Sequence, residues 1–457
     1  MTETAQLARL LASRLQELWG APVEISGFRQ LPGGASRESW GVRAQRDGGA
    51  ERHLILLRDP DGSDRRREVA VEAAAMAAAR AAGVPAPELY DHGQEALGPG
   101  RAYLLMERLD GETIPRRLLR DEAYAAVRPG LARRLGEVLA RIHQVDPGSV
   151  PGLPRVDALG EAMELYAQFA EPRPAIEIGL RWLGRHRPPA SADGLVHGDF
   201  RTGNLIVGRD GLRGVLDWEL AHCGDPLHDL GWLCTKAWRF GSAEPAGGFG
   251  TRADLMAGYA AGGGVPPDEA TQRWWELYGT VRWALLCRRQ AERYLSGAEP
   301  SIELAVLGRR VCEQEWDVLL ALGYAEPLTI TDPLEDAAPH GLAGAPHDRP
   351  AGPGLLRAVR GFLTTEVAGT EPQLAFHARV AVNALRIAER EAMLAARHAR
   401  DHRARLAALG CAGDAELCAA IREGTLDHRF GDVIAAVRAM AIDKLTVANP
   451  GHLTRPG

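Results

Sequence analysis

The chain has 457 residues, of which 46% are hydrophobic and 25% charged, and its formal net charge is −6. This length is enough for two to four domains that each bury a core. The acidic balance argues against a protein whose main partner is nucleic acid. No apolar stretch reaches the roughly 18 residues that would predict a membrane span.

The N-terminal segment MTETAQLARLLASRLQELW predicts an amphipathic helix. It has neither a basic start nor an apolar run, so we expect no signal peptide. The six cysteines form no C-x-x-C pair and no regular framework, which is typical of reduced, packed thiols. We therefore expect a cytoplasmic protein.

Residues 22–107 predict a small lobe of strands with one helix. Two strands flank the turn LPGGA, and further strands are RHLILLRD, PELYDHG and AYLLMERL. An alanine-rich helix is expected over residues 64–82. Helices are then expected over residues 120–143 and 156–186, followed by the short strands GLVHGD, NLIV and GVLDW and by nearly continuous helix up to residue 323.

Residues 325–354 predict a linker, because Pro and Gly fill ten of the thirty positions and no apolar period is present. Helices are expected beyond it, over residues 355–410, 414–423 and 430–446. The expected organisation is an N-terminal lobe (1–107), a helical lobe with the catalytic loop (108–325), a linker (326–354) and a helical accessory domain (355–457).

The clearest chemical motif is His197-Gly-Asp199-Phe-Arg-Thr-Gly-Asn204, followed thirteen residues later by Asp217 in LDWE. Phosphoryl transfer needs one carboxylate to orient a hydroxyl group, and an Asn and a second carboxylate to hold Mg²⁺ against the phosphates. The spacing supplies these groups in that order. The alternative is an acidic surface turn, which the flanking apolar strands disfavour because they would fix the loop.

With these motifs the sequence resembles the aminoglycoside phosphotransferase superfamily over about residues 20–325. It is most similar to the kinase-like domain linked to acyl-CoA dehydrogenases, in LPGGASRESW, LLRDP, YLLMERLDGE, LVHGDFRTGNLIV and LDWELAHCGDPLHDLGW. The resemblance implies an α+β, bilobal protein-kinase-like fold, with a β-rich N-lobe and a helical C-lobe. The C-terminal helices resemble a small all-α domain of unknown function.

The resemblance also implies roles for the motif residues. Asp199 corresponds to the catalytic base, His197 to the histidine that orders the loop, and Asn204 and Asp217 to the Mg²⁺ ligands. Gly198 replaces the arginine of the protein-kinase motif H-R-D, and the segment after Asp217 is too short for an activation loop. A protein substrate is therefore not expected.

The nucleotide side is expected in the N-terminal lobe. Gly33, Gly34 and Ser36 would lie over the phosphates, although PGG is also an ordinary hairpin turn. Arg58 stands where the family has a phosphate-pairing lysine, in a chain with only two lysines. An exposed strand-end arginine is the alternative.

Two further contacts follow from the resemblance. The partner of Arg58 would be Glu72 on the following helix, or Glu68 one turn earlier, with a surface glutamate as the alternative. The segment Met106–Leu109 would form the hinge, where backbone groups at Glu107 and Leu109 would bind adenine.

The acceptor site is expected in the helical lobe. Tyr278, Arg282 and Arg289 share one predicted helix face, and a cationic stripe there would suit an anionic substrate such as a CoA thioester. A solvated basic face is the alternative. The resemblance implies a hydroxyacyl-CoA as acceptor.

The sequence thus predicts a phosphotransferase with an alcohol group as acceptor that uses ATP and Mg²⁺, acts on a small molecule and has an acyl-CoA dehydrogenase pathway partner. Two other interpretations stay open: a nucleotide-binding regulatory or scaffold module with little catalysis, and an aminoglycoside-type antibiotic kinase.

Overall fold

The computed structural model describes residues 3–31, 37–60, 65–335, 352–367, 369 and 372–454. The chain divides into two compact units. The first contains Met1–Ala158 and Pro189–Gln272, and the second contains Leu159–Pro188 and Arg273–Gly457.

A five-stranded antiparallel sheet forms the first part of the first unit, in the order β1-β2-β3-β5-β4. Its strands are β1 (Val23–Gln30), β2 (Glu38–Arg46), β3 (Glu51–Arg58), β4 (Leu89–Gly93) and β5 (Tyr103–Glu107). Helix α1 (Glu3–Trp19) packs on one face through Leu7, Leu11 and Leu15. Helix α2 (Arg66–Ala81) covers the other face.

Side chains alternate between these two faces, as strand geometry requires. In β3, Leu54 and Leu56 join the core under α1, whereas Ile55 and Leu57 pack against the core under α2. Arg58 continues the α1-facing series, and the next residue, Asp59, continues the α2-facing one. This alternation decides which charged side chains reach the candidate site.

The rest of the first unit combines helices with two small two-stranded sheets. Strand β6 (Gly194–Val196) pairs with β9 (His222–Gly224), and β7 (Leu205–Gly208) pairs with β8 (Gly211–Val215). The segment His197–Asn204 therefore joins β6 to β7, and Asp217 follows β8. The helices are α3 (Pro115–Arg120), α4 (Arg128–His143), α7 (Leu227–Cys234) and α8 (Arg252–Ala261).

All regular secondary structure among the described residues of the second unit is helical. Its helices are α5 (Ala158–Phe169), α6 (Pro174–Arg185), α9 (Glu269–Leu295), α10 (Ile302–Gly308), α11 (Val311–Ala321), α12 (Gly352–Phe362), α13 (Pro372–Ala408), α14 (Asp414–Glu423) and α15 (Phe430–Ala448). Short 3₁₀ turns occur at Glu122–Tyr124, Pro147–Ser149, Lys236–Arg239, Asp427–Arg429 and Pro450–His452, and a π-helical turn at Leu363–Val367.

One hydrophobic core joins helices on both sides of the predicted linker. Ile178 of α6 and Trp316 of α11 pack in the same cluster as Leu417, Val433 and Leu445 of the C-terminal helices. Ion pairs surround this core: Glu177 accepts two hydrogen bonds from Arg422, and Lys444 donates to Glu315. The C-terminal helices are therefore packed as part of the second unit.

The start of the predicted linker also makes specific contacts. The N–H group of Leu328 donates to the carbonyl of Leu453, and Asp332 accepts two hydrogen bonds from the buried Arg390. The packing thus places the C-terminal helices and the start of the predicted linker in one unit with helices of the predicted helical lobe. The expected segments were 1–107, 108–325, 326–354 and 355–457. Those domain boundaries stay a prediction.

The predicted fold class is confirmed, with an antiparallel N-terminal sheet and predominantly helical remainder. Two helix predictions need correction. Residues 156–186 form two helices, because Pro172 and Pro174 interrupt the segment between α5 and α6. The helix expected from residue 120 begins only at Arg128 as α4, after the separate short helix α3.

The shared core predicts that Leu445→Ala destabilises the second unit. Leu445 is fully buried, so its truncation leaves a cavity and should lower the free energy of unfolding by about 3 kcal/mol. The matched control is Leu355→Ala, at a leucine that is 55% exposed, where we expect a loss below about 0.5 kcal/mol. Urea unfolding followed by tryptophan fluorescence measures both, and equal small losses would contradict the shared core.

Candidate active site

The carboxylate of Asp199 lies at the centre of the loop between β6 and β7. Trp232 donates its indole N–H to Oδ1 at 2.9 Å, and Asn204 donates Nδ2 to Oδ2 at 2.7 Å. Arg201 approaches the same carboxylate, with Nε at 3.0 Å from Oδ1, and its guanidinium also lies over the ring of Trp238. Asp199 is thus held in one orientation, with both carboxylate oxygens accepting hydrogen bonds.

A second, fully buried carboxylate fixes the backbone of this loop. Asp229 on α7 accepts hydrogen bonds from the backbone N–H groups of His197 and Gly198, at 2.8 and 2.9 Å. The imidazole of His143 contributes a third contact, at 3.2 Å. Burial alone would raise the pKa of Asp229, but the hydrogen bond from His143 and the nearby imidazoles of His143, His197 and His228 together outweigh burial and hold this pKa below its usual range.

The side chain of His197 connects the loop to the strand that precedes Asp217. Its Nε2 donates to the carbonyl of Leu216 at 3.0 Å, and its Nδ1 accepts from the N–H group of Asp199 at 3.2 Å. Burial lowers the pKa of His197, which favours the neutral imidazole that this donor–acceptor pattern requires. His197 therefore orders the loop and does not itself exchange protons in this arrangement.

Gly198 has a steric reason for replacing the arginine of the protein-kinase motif. Its φ is 81°, a conformation that favours glycine. A Cβ atom at this position would lie 2.3 Å from the carbonyl oxygen of Leu220. Any larger residue would force the loop away from Leu220, which lies three residues after Asp217.

Asn204 and Asp217 lie where they can serve as metal ligands. The nitrogen of the Asn204 amide is engaged by Asp199, so the amide oxygen is the atom suited to a cation. Asp217 has a φ of 67°, an uncommon conformation for a non-glycine residue. Burial and the neighbouring carboxylates Glu219, Asp199 and Glu72 raise the pKa of Asp217 to about 7.

A divalent cation fits this environment, because it would remove the repulsion that raises the Asp217 pKa. Within the described part of the chain, no group of three or more His, Cys, Asp or Glu side chains could hold a metal ion. The kinase-type arrangement does not need such a group, since one Asn, one Asp and the nucleotide phosphates share the metal.

The predicted pairing of Arg58 with Glu72 or Glu68 is wrong. Arg58 lies directly opposite Glu38 in the antiparallel register of β2 and β3, on the face covered by α1. Its guanidinium donates to Glu38, with Nε at 2.9 Å from Oε2, and to the carbonyl of Leu97 at 3.3 Å. Strand alternation turns this side chain away from α2, so Arg58 supports the lobe from the opposite face.

Arg37 is the residue that pairs with Glu72. It immediately precedes β2, and its Nη2 lies 2.5 Å from Oε2 of Glu72. Its Nε lies 3.2 Å from Oδ1 of Asp59, which is fully buried. Burial alone would lower the pKa of Arg37, but the carboxylates around it raise that pKa, so the guanidinium stays charged.

This ion pair belongs to a network that reaches the metal-ligand segment. Arg65 donates to Glu219 at 2.7 Å, and Nη2 of Arg37 lies 3.9 Å from the same carboxylate oxygen. Glu219 is two residues from Asp217, so Arg37 and the candidate metal ligands belong to one charged cluster. Burial raises the pKa of Glu72, and Arg37 only partly offsets that effect.

The other predicted nucleotide contacts are placed in part. Glu107 ends β5, where its N–H group donates to the carbonyl of Glu88 at 2.8 Å, and Leu109 follows two residues later. Adenine contacts at Glu107 and Leu109 stay a prediction. Gly33, Gly34 and Ser36 lie outside the described residues.

The predicted acceptor stripe on α9 is not one uniform surface. Tyr278 is buried, with its ring parallel to that of Trp274 at 5.9 Å between centroids. Arg282 is also buried, whereas Arg289 is exposed. The three residues share a helix face, but the first two are buried, so they do not form the solvated basic face that was the alternative. Their role in binding the acceptor stays a prediction.

Sequence reasoning missed Arg37, Arg65 and the hydrogen bond from Trp232. The signal for Arg37 was available in the alternation of the strands. Because Glu38 faces Arg58 across one side of the sheet, their neighbours Arg37 and Asp59 must face each other across the other side. No comparable pattern indicates Arg65 or Trp232.

Residues 27–275 match the model of the phosphotransferase enzyme family, and residues 368–452 match a domain of unknown function, DUF6285. Acyl-CoA dehydrogenase family member 10 of mouse is 26% identical over 382 residues, which are 76% of this chain and 34% of the mouse protein. The chain spans about a third or less of the length of such relatives: its match to acyl-CoA dehydrogenase family member 11 of chicken covers 21% of that protein.

A homoserine kinase of Methylobacterium radiotolerans is 29% identical over 48% of this chain and 64% of its own length. Among solved structures, a candidate aminoglycoside phosphotransferase from Ralstonia eutropha superposes with a TM-score of 0.53 at 21% identity, over 69% of this chain and 98% of that chain. This likeness supports the fold.

No helix among the described residues has the length and apolar character needed to cross a membrane. The family match covers more than half of the chain and includes the loop of Asp199, the candidate metal ligands and the Arg37–Glu72 pair. The chain belongs to the phosphotransferase enzyme family.

Proposed function

We propose that the protein transfers the γ-phosphoryl group of ATP to the hydroxyl group of a small molecule. One observation carries this proposal: the carboxylate of Asp199 is bonded to Asn204 and lies in the same charged cluster as Asp217. A base, an amide and a second carboxylate are the groups that phosphoryl transfer needs. A nucleotide-binding scaffold would have no physical need for the base, the amide and the second carboxylate together.

In this proposal Asp199 orients the acceptor hydroxyl and takes its proton as the phosphoryl group moves. The indole of Trp232 and the amide of Asn204 fix the orientation of the carboxylate. Asn204 and Asp217 would hold Mg²⁺, which supplies charge neutralisation at the phosphates. The backbone around the loop is positioned by Asp229 and, through the carbonyl of Leu216, by His197.

The acceptor we propose is a hydroxyacyl-CoA. The likeness to acyl-CoA dehydrogenase family members supports this class, and such an enzyme would then be the pathway partner. Phosphorylation would make the acyl hydroxyl a leaving group for a later elimination. A short hydroxy amino acid is the second candidate, because the homoserine kinase relative matches 48% of the chain.

Mg-ATP should stabilise the protein against heat through Asp217. At a ligand concentration about 100 times Kd, the midpoint should rise by about 5 °C, and the rise should disappear with EDTA and in Asp217→Ala. The matched control is Asp210→Ala, at an exposed aspartate in the turn between β7 and β8, which should keep the full rise. Absence of any rise in the wild type would favour an unrelated role.

Turnover should depend on Asp199 more than nucleotide binding does. With [γ-³²P]ATP and a panel of hydroxyacyl-CoAs and homoserine, the wild type should label one acceptor class. Asp199→Asn should lower kcat by about 10²–10⁴-fold while its Kd for Mg-ATP stays within about threefold. Labelling of homoserine alone would overturn the acyl-CoA assignment, and equal turnover by the variant would remove Asp199 from the mechanism.

A further inference from the structure

We propose that Arg37, the residue immediately before strand β2, is the phosphate-binding cation of this phosphotransferase. The inference rests on the proposed function and assigns the nucleotide's phosphates to a residue outside the strand from which sequence comparison expects the cation. The structural reason is that the expected cation, Arg58, faces α1, whereas Arg37 faces α2, where Glu72 lies. The cation beside α2 is Arg37, next to β2, and the corresponding position next to β3 is occupied by the acid Asp59.

The end of β3 cannot supply a cation to the α2 face. Its last residue, Arg58, points to the α1 face, where it contacts Glu3 of α1. The α2-facing position directly after the strand is Asp59, a fully buried carboxylate. Asp59 lies 3.2 Å from Nε of Arg37. Asp59 therefore faces Arg37 on the α2 side of the sheet, where a cation at the end of β3 was expected.

Arg37 has the partner and the burial expected of a phosphate-binding residue. Its side chain is 7% exposed, and Glu72 on α2 fixes the guanidinium from one side, as a helix glutamate fixes the β3 lysine in kinases. A guanidinium carries five N–H donors. Among the described contacts of Arg37, Nη2 donates to Glu72, and Nε lies 3.2 Å from Oδ1 of Asp59 without forming a hydrogen bond. None of these contacts uses Nη1, and we assign its two N–H donors to phosphate oxygens.

The location also fits the transferred charge. Glu219, 3.9 Å from Nη2 of Arg37, is two residues from the candidate metal ligand Asp217. Phosphates held by a metal at Asp217 would thus lie in the same charged cluster as Arg37. Arginine suits this task because its planar fork can contact two phosphate oxygens at once.

The test measures fluorescent (mant) nucleotides binding in the presence of Mg²⁺. Arg37→Ala should weaken mant-ATP and mant-ADP by about tenfold to a hundredfold, the range of a lost hydrogen bond to a charged group. Binding of mant-adenosine should change less than about twofold, because it carries no phosphate. A merely structural role would weaken all three ligands alike.

Two further variants keep the test decisive. Arg37→Lys preserves the buried charge and should retain the fold, with an affinity for mant-ATP between the wild type and Arg37→Ala. Arg101→Ala removes an arginine that contacts Glu38 beside Arg58 on the α1 face, and it should bind mant-ATP like the wild type. This matched variant controls for the loss of any N-lobe arginine.

The possible failures are distinguishable. Wild-type affinity for mant-ATP in folded Arg37→Ala and Arg37→Lys, together with loss of turnover in Asp199→Asn, would overturn the role of Arg37 and leave the proposed function standing. No binding of mant-ATP or mant-ADP by the wild type would overturn both. Equal weakening of mant-adenosine and mant-ATP would reduce Arg37 to a structural residue.

Discussion

Carboxylates outnumber cations in the charged cluster of the first unit, and this imbalance governs how the site is built. Its acids are Asp59, Glu72, Asp199, Asp217 and Glu219, and its arginines are Arg37, Arg65 and Arg201. Arg37 and Arg65 pair with Glu72 and Glu219, and Arg201 pairs with Asp199. Asp217, between these groups, is left with a pKa raised to about 7 by burial and by its acidic neighbours. In the proposed function, a divalent cation with nucleotide phosphates would supply the charges that complete such a cluster.

The frame around this cluster has to resist the repulsion inside it. Asp229 does so for the loop, since it collects two backbone N–H groups and an imidazole at a fully buried point. The second unit uses the same device, where buried Glu315 and Glu177 bind Lys444 and Arg422 at the edge of the core shared with the C-terminal helices. Those helices thus complete the helical packing of their own unit, whatever further role they have.

Local patterns in the sequence predicted the parts of the site that depend on spacing along the chain. The motif from His197 to Asn204 and the strand before Asp217 are close in sequence, so their order and the family resemblance were enough to predict their roles. The partner of Glu72 depends on which face of the sheet a strand residue occupies. Arg58 was the expected partner because it lies at the end of β3. Side chains alternate along the strand, so Arg58 faces the same side as Leu54 and Leu56, and Arg37 pairs with Glu72 on the other side. The environment of Tyr278 depends on packing between helices, which no period in α9 could indicate.

The most direct test of the account is a crystal structure of the protein with Mg²⁺ and a non-hydrolysable ATP analogue. We expect Mg²⁺ bound by Asn204 and Asp217, and Nη1 of Arg37 within about 3.2 Å of a phosphate oxygen. Arg58 should remain paired with Glu38 on the opposite face of the sheet. A nucleotide bound away from Asp217, or phosphates contacted by Arg58 while Arg37 stays closed on Glu72 and Asp59, would contradict the account.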